Sequence, residues 1–379
     1  MGNKQHNCGS IVVRTHQPYY YAGDTVSGTV YLDLVDKFPG KKINLKIKGK
    51  EKCKFVTSHI EHEEEVEKTV FTDRFGKTVC YRHKLPLFKS HEDEIEPGQY
   101  QFPFTMKLKE DIPSTYNNSG DDWYAKVYYK LIVSLENKED EDLSLENDIP
   151  MIIRPKPVPE EDEESEKYKK KISLFKFCCL SAGELKVKAK FDKDSYTPGE
   201  EAYVKVKLKN EEGQVPIDGI ELSLVNEINM KSKCGHSKRI VKILKTESFE
   251  GIGAGEDTPD DEPRKIRMDL VAPGKTMEPS TDGEFVKSDY FLKLRFLASG
   301  CACIYNGTIS QDILMHAELP KESNFYTYTQ PPEGWNPKNM EEVDLVATDE
   351  FAEPSKKEKK EGKGKKYKQP ETMAEPSEE

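Results

Sequence analysis

Eight cysteines and eight histidines are the side chains of this 379-residue sequence best suited to hold a metal or act as nucleophiles. Five of these cysteines and one histidine cluster at three places, Cys178-Cys179, Cys301-x-Cys303 and Cys234-x-His236. None has the doubled CxxC spacing that closes a tetrahedral zinc site, so they read as free thiols, buried or flanking a hinge. His59 and His62 stand in HIEHEEEVE, where imidazole and carboxylate could share a cation; so polar and acidic a stretch reads as a solvated loop instead. GIGAGED, residues 251–257, is as rich in glycine as a phosphate-cradling loop, but no lysine or helix start follows it, and it reads as a flexible loop. GxSxG, HExxH, a P-loop and a strand-to-helix GxGxxG are all missing. The sequence therefore predicts no catalytic residue, no metal site and no cofactor.

The two ends carry a different chemistry, that of membrane contact. MGNKQ offers Gly2 for acylation after removal of Met1, although His6 stands where the motif takes Ser or Thr. Cys8 could supply the second acyl chain that stable anchoring needs. The competing reading is a short frayed end before a first strand near Ser10–Arg14. At the other end, Lys356, Lys357, Lys359, Lys360, Lys363, Lys365, Lys366 and Lys368 face only two glutamates, a local charge of +6. Each such lysine near an anionic leaflet contributes on the order of 1 kcal/mol, screened within a Debye length. Nuclear import, a nonspecific RNA contact and plain solvation are the rival readings of this tail.

Any such residues must be carried by strands, because the apolar pattern has a period of two almost everywhere. In TVSGTVYLDL, Val26, Val30, Leu32 and Leu34 oppose Ser27, Thr29, Tyr31 and Asp33. INLKIKG, LKVKAKFD, YVKVKLKN, IELSLV and FLKLRF repeat the arrangement, which marks antiparallel strands with one buried and one wet face. Lysine on the wet face discourages edge-to-edge aggregation. Turns at Gly23-Asp24, Pro97-Gly98, Pro198-Gly199 and Pro273-Gly274 separate many short strands, the pattern of a β-sandwich. No window of a dozen residues shows a helical stripe.

Charge and composition divide the chain. The hydrophobic share is 35%, against roughly 45–50% for an average globular chain. Part of the length should then be linker or tail. Net charge is −11, so the chain as a whole is not built to bind polyphosphate or nucleic acid. No apolar run is long enough for a membrane span or a secretory signal, which predicts a cytosolic protein with reduced thiols. RPKPVP at 154–159 and the six acids of EEDEESE at 160–166 suggest a linker over 155–183. Beyond residue 321 the alternation stops and a disordered tail is expected. Tyr20-x-x-Gly23-Asp24 and Tyr196-x-x-Gly199-Glu200 each precede an alternating strand, 176 residues apart. That repetition predicts two similar sandwiches in tandem.

At these residues the sequence resembles the arrestin superfamily, most closely the arrestin-domain-containing proteins. PYYYAGDTVSGTVYLDL, INLKIKGKEK, EPGQYQFPFTMKLKEDIPSTY and AKVYYKLIVSLE follow in that family's order, with G-x-Y-x-F-P-F at Gly98–Phe104 as the most recognisable element. KKISLFKFCCLSAGELKVKAKFDKDSYTPGE is similar to the entry of a second arrestin domain, and DYFLKLRF with IYNGTISQDILMHAELP to its final strands. The resemblance implies an all-β chain of two immunoglobulin-like β-sandwiches, over 8–154 and 184–321, with a linker over 155–183 and a tail over 322–379. It also implies a non-catalytic adaptor for membrane-protein cargo in endocytosis, sorting or transport. Such an adaptor would be cytoplasmic, with peripheral association to plasma membrane or endosomes. Fold by itself does not fix that role. A retromer-type coat subunit or a sandwich module without a sorting role are the alternatives.

Two departures narrow the implication. PPEGW, Pro331–Trp335, has Gly334 where a WW-domain ligand needs tyrosine, so no strong WW partner is expected. No arginine follows Arg295, so the tail arginine that locks other arrestins is missing. Leu345, Val346 and Asp349 in DLVATDEF fall where arrestins carry coat-binding boxes, but Thr348 takes an apolar position. The solvent faces of the second half, with Lys186, Lys188, Lys190, Lys205, Lys207 and Lys209, are suited to acidic or phosphorylated segments, or serve solubility alone.

Overall fold

The computed structural model describes residues 3–4, 8–40, 42–63, 66–89, 94–137, 143–159, 167–177, 180–259, 261–272, 274, 276–298, 301–318 and 331–337. The first half contains β1 (Asn3–Lys4), β2 (Gly9–Thr15), β3 (Tyr20–Tyr21), β4 (Thr25–Leu34), β5 (Lys42–Glu63), β6 (Val66–Lys89), β7 (Gly98–Lys107), β8 (Tyr116–Gly120), β9 (Trp123–Leu135), β10 (Leu145–Met151) and β11 (Ile153–Arg154). β2, β4 and β7 form one sheet; β1, β10, β9, β5 and β6 form the other, with β8 on β9. Alternate residues of both sheets, such as Val30, Leu32, Phe102, Leu45 and Leu131, bury into one core. Tyr31 departs from the alternation: its ring is buried because Trp335 packs on it edge-to-face at 5.2 Å.

The second half contains β12 (Lys167–Lys176), β13 (Leu180–Phe191), β14 (Ser195–Tyr196), β15 (Glu201–Lys209), β16 (Ile217–Lys231), β17 (Ser237–Ile252), β18 (Arg264–Asp269), β19 (Thr281–Asp282), β20 (Val286–Leu297), β21 (Ala302–Tyr305) and β22 (Thr308–Met315). Its sheets run β18-β15-β13-β12-β21 and β14-β22-β20-β16-β17, with β19 on β20. They enclose a second core of residues such as Val187, Val204, Leu222 and Leu292. The fold is thus all-β, two β-sandwiches in tandem.

The segment expected as linker over 155–183 becomes strand at Lys167. Ile172 and Leu174 are fully buried while Lys167, Lys169 and Lys171 point to solvent. Charge density had hidden a period of two. Of the two segments expected as loops, HIEHEEEVE has His59–Glu63 and Val66–Glu67 in the strands of the long β5–β6 hairpin, paired as far as Glu63 with Val66. GIGAGED turns on buried Asn210, whose Nδ2 donates to the carbonyls of Val215 and Gly253, both at 2.9 Å.

The repeated motif is a repeated turn. Asp24 N donates to Tyr21 O and Glu200 N to Thr197 O, each at 3.1 Å. The acid then folds back: Asp24 Oδ2 accepts from Tyr21 N at 2.8 Å and Glu200 Oε2 from Thr197 N at 3.1 Å. Gly23 and Gly199 have φ of 88° and 93°, a left-handed conformation that favours glycine. Both tyrosines are buried and donate their hydroxyl protons locally, Tyr20 to Ser27 O and Tyr196 to Asp192 Oδ1.

The two sandwiches touch through β5, β6 and the β8–β9 turn on one side and β16, β17 and β20 on the other. Cys53 Sγ donates to Lys231 O at 3.1 Å, and Thr281 Oγ1 to Ser114 O at 3.0 Å. Lys238 pairs with Asp122 at 2.5 Å, and Lys242 lies 4.7 Å over the Trp123 ring. Ile228, Met230 and Val286 of the second half join the first core.

Candidate functional site

Strand pairing assembles the second half's lysines into a lattice on the outer face of the β18-β15-β13-β12 sheet. Lys167 stands opposite Lys190, Lys190 opposite Lys205, and Lys205 opposite Lys265, a row across four strands. The next row is Lys169–Lys188–Lys207 and the third is Lys171–Lys186–Lys209. Beneath them Ile172, Leu185, Val187, Ala189, Val204 and Val206 are buried, so period-two alternation forces every lysine outward.

Directly opposed like charges destabilise a sheet. This face has seven such lysine pairs in three adjoining rows. One corner is neutralised: Lys186 donates to Glu212 at 2.6 Å and Lys171 approaches Glu184 at 3.8 Å. The Glu212 hydrogen bond holds the Lys186 ammonium above its ordinary pKa. Lys265 rests 4.1 Å over the Tyr203 ring. Among the described residues, no carboxylate lies at ion-pair distance from Lys167, Lys169, Lys188, Lys190 or Lys205. The outer face of the first sandwich also carries basic rows, such as Lys77–Lys52–Lys126 and Arg82–Lys48–Lys130. There Asp148 pairs with Lys130 at 2.6 Å, Asp73 with Lys54 at 2.8 Å, and Tyr128 and Tyr124 interrupt the rows. A shallow hollow of about 270 Å³ on that face is lined partly by Glu146 and Asp148. On the second sandwich the lysine rows adjoin without interruption, and the longest crosses four strands.

Comparison with known proteins agrees with the two-sandwich architecture. Residues 10–155 match the model of the arrestin (or S-antigen) N-terminal domain, and residues 181–316 that of the C-terminal domain. The chain belongs to the arrestin superfamily, among the arrestin-domain-containing proteins. It is similar to Arrestin domain-containing protein A of Dictyostelium discoideum, 27% identical over 297 residues, covering 75% of this chain and 47% of that one. Arrestin domain-containing protein 17 of Caenorhabditis elegans is 22% identical over 249 residues, covering 62% of this chain and 55% of that one. The chain spans about half the length of these relatives.

In this arrestin-domain chain the six lysines singled out from β13 and β15 come together on one face. Lys167, Lys169, Lys171 and Lys265 complete it, and sequence reasoning missed them. The alternation K-x-K-x-K-I-S-L could have flagged the first three; only register could reveal that they stand opposite Lys190, Lys188 and Lys186. The structure brings no metal ligands together: among the described residues no three His, Cys, Asp or Glu side chains converge. Cys8 is half-buried against the first core, with its carbonyl accepting from Val35 N at 3.0 Å. Trp335 of PPEGW packs on Tyr31, and Asn336 N donates to Gln99 Oε1 at 2.8 Å. Gly2, Leu345, Val346, Asp349 and the eight tail lysines from Lys356 to Lys368 lie outside the described residues, as do Cys178 and Cys179.

Proposed function

We propose that this chain is a non-catalytic adaptor whose second sandwich captures an acidic or phosphorylated segment of membrane-protein cargo for endocytosis, sorting or transport. Such an adaptor works in the cytoplasm with peripheral association to plasma membrane or endosomes. The observation that carries this reading is the lysine lattice. Its repulsion disfavours the free fold, and a polyanionic ligand relieves it. An extended peptide places alternate side chains about 6.5–7 Å apart, the same step that separates lysines along one strand. Carboxylates or phosphates at alternate positions would thus meet one lysine each, with lateral neighbours sharing the charge.

Fluorescence anisotropy with an acidic or phosphorylated peptide, compared with its neutral analogue, tests this reading. We expect binding of the acidic peptide alone, weakening as salt rises. Lys188→Glu combined with Lys205→Glu should lower affinity at least about tenfold, as loss of charge-assisted contacts requires. Equal affinity of the native and charge-reversed chains for the peptide would sink the reading.

A further inference from the structure

The turn between β16 and β17 is built around Ser232. Ser232 N donates to His236 O at 2.8 Å, Gly235 N to Ser232 O at 3.1 Å, and His236 N to Ser232 Oγ at 3.0 Å. This closed turn holds Cys234 exposed. Sγ lies 3.3 Å from Ser232 Oγ, which also donates to His236 O at 3.1 Å, and 3.4 Å from His236 Nδ1. A fixed donor comes from the other sandwich: Arg74 Nη1 on β6 stands 4.0 Å from the same sulfur. Arg74 is held there by Nε donating to Thr57 Oγ1 at 3.1 Å, and the turn is held against β6 by Lys233 N donating to Phe75 O at 3.1 Å.

A hydroxyl, an imidazole and a guanidinium thus converge on one solvent-facing sulfur; the guanidinium stabilises it as thiolate, as do the hydroxyl and the imidazole when each turns its proton toward the sulfur. The titratable and charged groups facing Sγ are His236 from its own turn and Arg74 from β6. We propose that Cys234 is a modification site of this chain, the thiol that reacts first with hydroperoxides. The sulfur attacks the terminal peroxide oxygen; an S–O bond forms and the O–O bond breaks. The departing alkoxide takes a proton, for which His236 Nδ1 is the adjacent source. Cysteine becomes sulfenic acid, oxidised by two electrons, and the hydroperoxide is reduced to an alcohol. The hydrogen bonds from Ser232 and His236 bring the thiol down to about 7. Burial instead pushes the Cys53 and Cys80 thiols up to about 11, so the chain carries its own unreactive references. This inference stands apart from the adaptor reading and does not depend on it.

The test uses the purified, reduced full chain. Timed iodoacetamide alkylation at pH 6 and pH 9, read cysteine by cysteine by mass spectrometry, is compared with a short cysteine peptide. A thiol titrating near 7 is about thirtyfold more ionised at pH 6 than an ordinary one near 8.5, and nearly equally ionised at pH 9. Access and intrinsic nucleophilicity cancel in the comparison, so the rate ratio of Cys234 to the peptide should fall about twentyfold from pH 6 to pH 9. Brief hydroperoxide treatment followed by a 1,3-dione trap should mark Cys234 before any other cysteine. His236→Ala should reduce the pH dependence of the ratio while Cys53 and Cys80 stay slow, which reports an intact fold. A ratio that does not change with pH, a dione mark on another cysteine first, or an unaltered profile in His236→Ala overturns the proposal.

Discussion

A methyl group placed at position 283 probes the contact between the two sandwiches. Glu51 on β5 is only 1% exposed, yet it is a carboxylate. It reaches into the second half, where Oε2 accepts from Phe285 N at 2.8 Å and Val286 N at 3.3 Å. A Cβ added at Gly283 would lie 2.6 Å from the Glu51 carboxyl carbon and closer still to Oε2. Gly283 is not in the left-handed region, so alanine would meet the carboxylate and no backbone strain. To make room, Glu51 must retreat and stretch both hydrogen bonds, an overpacking cost of about 1–3 kcal/mol. Glu51→Ala strands the buried Val286 N–H at about 1–3 kcal/mol and the half-buried Phe285 N–H at less, partly offset because no carboxylate is then desolvated. In the double variant the added methyl occupies space the carboxylate has left, and Gly283→Ala should cost almost nothing. The coupling between the two substitutions is thus about 2 kcal/mol in the favourable direction. Urea unfolding of the four chains, followed by tryptophan fluorescence, measures it. Additive effects to within about 0.5 kcal/mol would refute the reasoning, since independent sites add to that tolerance.

Three other consequences can be checked on the same protein. Lys188→Glu with Lys205→Glu turns four opposed lysine pairs into attractive ones; at about 0.2–1 kcal/mol per pair the urea midpoint should rise, and a fall would contradict the lattice. Burial holds the His316 imidazole below its ordinary pKa, with Glu200 opposing and Lys193 reinforcing the shift. The folded chain thus keeps His316 neutral while the unfolded chain takes a proton near 6.5, so stability is complete above about pH 6.5 and lost as pH falls below it. His316→Gln should flatten that part of the stability profile, and an unchanged slope would show that another group is responsible. Tyr196→Phe removes the hydroxyl donor to Asp192 Oδ1 at 2.6 Å and should cost about 1 kcal/mol in thermal or urea unfolding.

The strands were legible because burial on one side of a sheet writes a period of two into the chain. β4, β5, β13 and β15 could be read that way from Val26, Ile43, Leu185 and Val204 onward. β12 could not, because KYKKK reads first as a charge run, and the signal from Ile172 and Leu174 begins only at its end. The tandem repeat was visible for a local reason: one turn, closed by Gly23-Asp24 or Gly199-Glu200, demands the same residue types at the same spacing. The lysine lattice was half legible. Each strand shows its own lysines, but that Lys190 stands between Lys167 and Lys205 is a matter of register between strands distant in sequence. Glu51 gave no warning at all. Its partners are the backbone N–H groups of Phe285 and Val286, which look alike in any sequence. The Cys234-x-His236 pair was visible as a spacing, whereas Arg74 reaches it from 160 positions away.

Lysine footprinting tests the central claim most directly. The full chain is acetylated for short times with and without a saturating acidic or phosphorylated peptide, and each lysine is quantified by mass spectrometry. The account predicts that Lys169, Lys188, Lys190 and Lys205 lose reactivity together when peptide is bound, while Lys46 and Lys48 of the first sandwich and the lysines from Lys356 to Lys368 do not change. Protection on the first sandwich or the tail, with the lattice left fully reactive, would contradict it.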